Sequence, residues 1–379
     1  SNQNYVNSFL SGQLPSGGTD QDNMLLGGVM GKVGELGGIT NALQPVCGIT
    51  NQDLNSKETS LSIDNITSIT DDSRVVLGAS YRDIYLLSET FGGIPVSKKI
   101  YNVHGQLELQ LTQNNILNVG GSYEKNDSDT HFSPKIGLNH HFDELNTFRF
   151  LYSKAVRSPS LFEKEANWTY KVKDLNPVLN GLGNEGILFL SYKADGTVRE
   201  ENIESWELGY HFESSDDNLY IDVKIFKDNL DDLISEAVKI PNWNASNNNS
   251  SRLKGVEIES QYKLNNSVNF YSTYAYVDVK SESNYEVEFN PSHTFSIYSI
   301  YKNNNSWSAT MGMFYANKLR GHIYSRFEST ISKSFDLGDS KLSFNLSIKH
   351  RLDGGREVLE DNLYDNNTHF FLTMVYTTE

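Results

Sequence analysis

The side chains best able to do chemistry cluster in one stretch, residues 157–201, where Trp168, Tyr170 and Tyr192 stand among Lys164, Lys171, Lys173 and Arg199. Aromatic faces beside cations suit an anionic, partly aromatic ligand, because stacking and cation–π contacts add to charge attraction. A second polar run, residues 231–251, holds Trp243 within NWNASNNNSS. The competing role for each of these residues is structural, since a long surface loop can pack on its own aromatics. Neither stretch pairs a nucleophile with a base: no Gly-x-Ser-x-Gly occurs, and the single Cys47 has no cysteine partner. Acidic clusters at Asp71 and Asp72, Asp127 and Asp129, Asp216 and Asp217, and Asp228 with Asp231 and Asp232 do not fit the twelve-residue calcium loop with its central Gly and terminal Glu. They read as solvated turns. None of the nine histidines lies between 157 and 201; His140 and His141 fall beside a short turn, and His131, His293, His322 and His369 are scattered. Single histidines of that kind are more often polar surface residues than ligands. The chemistry on offer is binding, not catalysis.

The elements that must carry these loops are strands. Leu342, Phe344, Leu346 and Ile348 alternate with Lys341, Ser343, Asn345, Ser347 and Lys349, and Trp206, Leu208, Tyr210 and Phe212 alternate with Ser205, Glu207, Gly209 and His211. Leu107, Leu109 and Leu111, and Leu219, Ile221, Val223 and Ile225, repeat the pattern. Counting such segments gives about 16 or 17 strands, most near the ~10 residues of a tilted membrane-crossing strand. Short polar turns are expected at 71–73, 113–115, 143–146, 214–218, 265–267, 302–306 and 336–340. Longer connections are expected at 32–57, 86–98, 124–131, 157–201, 231–251, 280–291, 317–322 and 351–367, the 317–322 segment being the shortest. One-sided alternation of short turns and long loops is the habit of outer-membrane barrels. Tyr81, Tyr85, Tyr101, Phe142, Phe148, Tyr271, Phe289, Tyr301, Tyr315 and Phe335 fall near strand ends, where interfacial girdles sit.

Composition agrees. The 379 residues carry a net charge of −16, which leaves no basic footprint for nucleic acid. Hydrophobic residues are 37% and mean hydropathy is −0.48, with no run near the ~18 apolar residues of a spanning helix. A β-barrel escapes that test because only alternate residues face lipid.

Five motifs, taken in order, resemble TonB-dependent outer-membrane receptors. ITDDSRVVLGASYRD at 69–83 resembles the family's turn and strand ending in Gly-x-Arg-Tyr-Asp, with Tyr81 and Arg82 swapped. The strand pair ending at Val156-Arg157-Ser158-Pro159 resembles the Arg-Ala-Pro element, and Asn176-Pro177-Val178-Leu179 resembles Asn-Pro-Asn-Leu. ENIESWELGYHF at 201–212, with Glu207 and Gly209, resembles the family's Trp/Tyr-Glu-Leu-Gly-Tyr strand, Glu200 standing where a proline is usual. RLKGVEIESQY at 252–262, with Gly255 and Glu257, resembles the Gly-Val-Glu strand that follows a long extracellular loop.

The resemblance implies an all-β, antiparallel transmembrane barrel in the bacterial outer membrane, with about 16 strands present of a probable 22. On this reading residues 1–379 are the C-terminal part of the barrel, and the plug domain and first strands are absent, since strand pattern is read from within the first ten residues. The implied function is active uptake of a scarce ligand, a ferric siderophore foremost, captured by extracellular loops. Trp168, Tyr170, Tyr192, Arg199 and Trp243 are its candidate contacts. Implied partners are the TonB-ExbB-ExbD system acting through the plug, a small-molecule metal chelate, and outer-membrane lipid and lipopolysaccharide, with no nucleic acid and no cofactor. A haem receptor would place a histidine between the Arg-x-Pro and Asn-Pro elements, and none is there. The alternatives are a plug-free diffusion porin of about 16 strands and a soluble, Asn-rich β-protein such as a lectin. The terminus HFFLTMVYTTE places Phe370, Leu372, Met374 and Tyr376 in one row, although Glu379 replaces the aromatic on which such barrels usually end.

Overall fold

Period-two alternation becomes one antiparallel sheet of 15 strands in the computed structural model, which describes residues 7–13, 15–126, 129–176, 184–194, 196–234, 245–303, 305–319, 321–353 and 366–378. A short strand, β1 (Cys47–Ile49), precedes the wall. The wall begins with β2 (Asn55–Thr70), β3 (Ser73–Leu87), β4 (Val96–Thr112), β5 (Asn115–Asn126), β6 (Asp129–His141) and β7 (Asn146–Arg157). Here β8 (Asn167–Asn176) and β9 (Glu185–Lys193) leave it and pair with β1 in a separate three-stranded sheet. The wall resumes with β10 (Glu201–Glu213), β11 (Leu219–Leu233), β12 (Asn249–Asn265), β13 (Val268–Ser281), β14 (His293–Lys302), β15 (Trp307–Leu319), β16 (His322–Asp336), β17 (Ser340–Arg351) and β18 (Thr368–Thr378). Each wall strand pairs with its neighbours in this order, β7 pairing directly with β10, and β2 and β18 are the two edges.

All seven expected short turns lie between strands at one end of the sheet. At the other end most connections are long, with two exceptions. Within 124–131, β5 extends to Asn126 and β6 begins at Asp129, because Lys125 and Asn126 continue the ladder against Thr130 and Ile100. At 317–322 the strands are likewise joined by a tight link.

The N-terminal expectation is corrected. In place of strand there is a helical turn at residues 7–10, then α1 (Asp20–Glu35) and α2 (Ile39–Ala42). The cause is a capping box: Asp22 N–H donates to the Thr19 hydroxyl at 3.2 Å and Thr19 N–H to the Asp22 carboxylate at 2.9 Å, which satisfies amides the first turn leaves open. No described helix is long and apolar enough to cross a membrane.

The wall is a single layer, so its apolar face meets no second sheet. Leu208 (58% exposed), Ile225 (55%), Leu346 (56%) and Leu372 (75%) stand open on that face. A soluble sandwich or lectin would cover such a surface. On the opposite face, polar pairs cross the ladder: Thr330 and Ser347 at 2.8 Å, Ser334 and Ser343 at 2.8 Å, Thr273 and Ser296 at 2.7 Å. Aromatics mark the edges of the apolar band, as in Tyr152 on Trp206 (4.3 Å between centroids) and Phe148 on Tyr210 (5.0 Å). Two of the expected girdle residues serve elsewhere: Tyr271 stacks on Tyr298 at 4.8 Å and 9°, beside Gln261 on the polar face, and Phe289 closes the short helix Asn284–Phe289.

Two motif glycines are required by close approach. A Cβ at Gly209 would collide with the Arg149 side chain, which crosses the strand there. A Cβ at Gly255 would collide with the Tyr276 carbonyl oxygen and lie 2.9 Å from the Phe226 ring. A side chain can swing away, whereas a carbonyl in the ladder cannot. Gly255→Ala should therefore destabilise the folded sheet by about 1–3 kcal/mol, and Gly209→Ala by less, measured by urea unfolding of the full-length protein in bilayers. Equal losses would show that the backbone at Gly255 yields as readily as Arg149.

Candidate functional site

The long-loop end is built around one arginine. Arg157 closes β7 opposite Glu201, the first residue of β10, so both feet of the 158–200 excursion meet at this pair. Its guanidinium donates through Nε to Glu201 and through Nη1 and Nη2 to Glu163 at 3.1 Å each. Glu163 lies in the one-turn helix α3 (Leu161–Glu165), where it accepts the Ser160 N–H at 2.7 Å while Ser160 Oγ accepts the Glu163 N–H at 3.2 Å. Burial works to raise the Glu163 pKa, but the hydrogen bonds from Arg157 and Ser160 outweigh it and hold the carboxyl below its ordinary value. Pro159 is buried next to this clamp, its carbonyl accepting Lys98 Nζ at 2.9 Å.

Beyond the clamp, three excursions share a hydrophobic core. Trp168 and Tyr192, 6% and 3% exposed, pack with Ala166, and Phe91, Phe162 and Tyr170 surround them. Phe162 meets Trp168 edge-on at 5.7 Å, and Phe91 lies 5.6 Å from the same indole. Tyr192 Oη donates to the Glu163 carbonyl at 2.7 Å. The 88–95 connection adds backbone bonds, from Asn167 N–H to Phe91 O at 3.1 Å and from Thr169 N–H to Thr90 O at 2.8 Å. Lys173 pairs with Glu89 at 2.6 Å, and that hydrogen bond lowers the Glu89 pKa.

The sequence candidates therefore separate. Trp168 and Tyr192 belong to the interior of the loop assembly, Tyr170 is half-buried at its margin, and Arg199 is exposed and paired with Asp232 at 2.9 Å. Asn247 ties Arg199 to the next excursion, accepting the Arg199 N–H at 2.7 Å and donating to the Asp232 carbonyl at 2.6 Å. Asn176 ends β8 opposite Cys47. Trp243, Pro177 and Leu179 lie outside the described residues. His131 Nε2 lies 3.2 Å from the carboxylate of Glu200, the residue in the usual proline position.

Lower on the polar face lies a charged network. Arg149 donates to Glu207 at 3.1 Å and, over Gly209, to both oxygens of Asp222 at 2.7 and 2.9 Å. Lys224 and Glu257 pair at 2.5 Å beside it. Arg149, Asp222, Lys224, Glu257 and Glu259 line a hollow of about 310 Å³. Sequence reasoning found Glu207, Gly209 and Glu257 but missed Arg149 and Asp222. Their placement on the polar face of alternating strands was the available signal.

Because Glu163 has a lowered folded-state pKa, the clamp's contribution is complete above the unfolded value of 4.5 and is lost as pH falls through the lower folded value. Protease protection of residues 160–193 should thus hold from pH 8 to 5 and fail on acidification below about 4. Arg157→Ala should give weak protection at every pH. Protection unchanged in that variant would remove the clamp from the loop's anchoring.

Comparison with known proteins follows the geometry. The family model described as TonB dependent receptor-like, beta-barrel matches residues 2–356. No curated protein matches. Among solved structures, a variant of the ferric enterobactin receptor PfeA of Pseudomonas aeruginosa superposes with a TM-score of 0.60 at 13% identity, covering 86% of this chain and 54% of that one. The siderophore receptor PirA of the same organism gives 0.61 at 12%, covering 86% and 55%. The copper transporter OprC gives 0.57 at 13%, covering 85% and 56%. At these identities the likeness is one of fold, and this chain spans about half the length of those structures. A 15-stranded antiparallel wall with an apolar outer face, turns at one end and loops at the other, matched by the family model over most of its length, places the chain among the TonB-dependent receptor β-barrels of the bacterial outer membrane.

Proposed function

We propose that this chain supplies the wall and outer loops of a receptor that takes up a scarce ligand, most readily a ferric siderophore, without transforming it. The observation carrying this reading is the joined loop assembly over a charged interior wall: an aromatic core under a polar surface at the mouth, and Arg149, Glu207 and Asp222 beneath it. Loops of this kind can be ordered by a ligand, while the wall stays fixed by its ladder. The similar structures are receptors or transporters of ferric enterobactin, a siderophore and copper, which fits a metal chelate as the ligand here.

In this reading energy comes from the TonB-ExbB-ExbD system acting through a plug domain, and the residues here form the C-terminal part of a larger barrel. The free edges of β2 and β18 support further strands that close the wall, since an unpaired edge in lipid leaves backbone groups unsatisfied. The charged hollow around Arg149 and Lys224 faces the space where a plug would sit. Outer-membrane lipid and lipopolysaccharide would surround the apolar face.

Tyr170 and Arg199 are the ligand contacts this geometry favours, because Trp168 and Tyr192 are spent on the core. In the full-length receptor, Tyr170→Ala with Arg199→Ala should weaken binding of a ferric catecholate siderophore about tenfold, or about 1.4 kcal/mol, with heat-resistant barrel migration retained. Trp168→Ala should instead loosen the loops and expose 160–193 to protease. Wild-type affinity in the double variant, across a panel of ferric siderophores, would take both residues out of the site.

A further inference from the structure

The outward face of the wall carries a basic patch at the long-loop end of β7 and β10 to β13. Outward orientation follows from register. Lys154 and Glu204 share the side of Tyr152 and Trp206, while Lys227, Lys254 and Arg252 continue the rows of Ile225 and Val256. All five basic residues, with Lys280 on β13, are exposed. Directly opposed cations are unusual: Lys227 faces Lys254 and Arg252 faces Lys280 across the ladder. Like charges in that position destabilise a strand pair unless an anion compensates. Internal compensation is partial, from Lys154 to Glu204 at 3.0 Å and Lys254 to Asp278 at 3.3 Å. Among the described residues no ion pair engages Lys227, Arg252 or Lys280. This occurs in a chain whose net charge is −16, where carboxylates are plentiful.

Lys227 and Lys254 lie in the ladder row of the aromatic pair Tyr152 and Trp206, Lys154, Arg252 and Lys280 lie one step above it, and Leu208, Ile225 and Ile258 face lipid below. That level is the headgroup layer of the outer leaflet. A hollow of about 390 Å³ opens there between Lys227, Asn229 and Arg252, with Glu204 and Asp231 also on its lining. The transported ligand is not the occupant, because these side chains point away from the barrel interior.

We propose that Lys227, Arg252 and Lys254, flanked by Lys154 and Lys280, hold the phosphates of a phosphorylated glycolipid of the outer leaflet, of the lipopolysaccharide class. Ammonium and guanidinium groups would bridge the phosphate oxygens, and the acyl chains would lie down the apolar band. Glu204 and Asp278 offset Lys154 and Lys254, and among the described residues Lys227, Arg252 and Lys280 keep their charge without an ion-pair partner. This assignment rests on the outer-membrane placement of the wall and needs nothing of the ligand.

The test uses the full-length receptor in mild detergent, with bisphosphorylated lipid A and its fully dephosphorylated form as probes, read by native mass spectrometry. The wild type should retain the phosphorylated lipid at least tenfold better, and retention should fall as salt rises. Lys227→Glu with Arg252→Glu should abolish that preference; Lys227→Gln with Arg252→Gln serves if the reversal disturbs assembly. Lys333→Gln, at the short-turn end beside Trp307 and Phe335, should change nothing. Equal retention of both lipids by an assembled wild-type barrel overturns the proposal and leaves the transport reading standing, as does unchanged preference in both double variants. A cation-dependent dimer that forms through this face without lipid also overturns it.

Discussion

Everything in this wall follows from the demand that a backbone in lipid bond to itself. Water is not available to satisfy an amide or carbonyl inside a bilayer, so each interior strand is paired on both sides, most of them along the greater part of their length. Once that ladder exists, side chains have only two directions to take. The apolar row and the polar row are separated by geometry and not by any tertiary packing choice. A layer one sheet thick therefore has no conventional core of its own.

The same geometry sets what the polar face can do. Neighbouring strands hold side chains about 5 Å apart, too far for most ionic partners separated by two strands. Glycine relieves this. At Gly209 the missing side chain lets Arg149 on β7 reach Asp222 on β11, and at Gly78 it lets His104 on β4 come within 3.0 Å of Asp64 on β2. Charge pairs thus span three strands and fix relative strand positions beyond the main-chain bonds. Among the described residues the packed hydrophobic cluster, around Trp168 and Tyr192, lies in the loops, where water replaces lipid and apolar burial regains its force.

How much was legible in the sequence tracks these rules. Period two and the seven short turns are local signals, and each was read from a few adjacent residues. Motif positions Arg157, Gly209 and Gly255 are visible as letters, but their tasks depend on partners far along the chain, such as Glu201 for Arg157 and Arg149 for Gly209. Aromatics in a long loop look alike whether they face a ligand or each other, so Trp168 could not be separated from Tyr170 without the fold. The capping box at Thr19 and Asp22 was the exception, a local signal overlooked because strand was expected there. Residues 124–126 and 129–131 differ in another way: charged and polar side chains suggest a loop where the ladder continues.

The shared core under the mouth has a mechanical consequence. Phe91 of the 88–95 connection, α3, β8 and β9 share one set of aromatic contacts, β1 pairs with β8, and Asn247 bonds to the Arg199 N–H and the Asp232 carbonyl. No one of them can swing aside without stripping the others of their support. Loops joined in this way should rearrange together, because displacing one exposes the apolar side chains of the others to water.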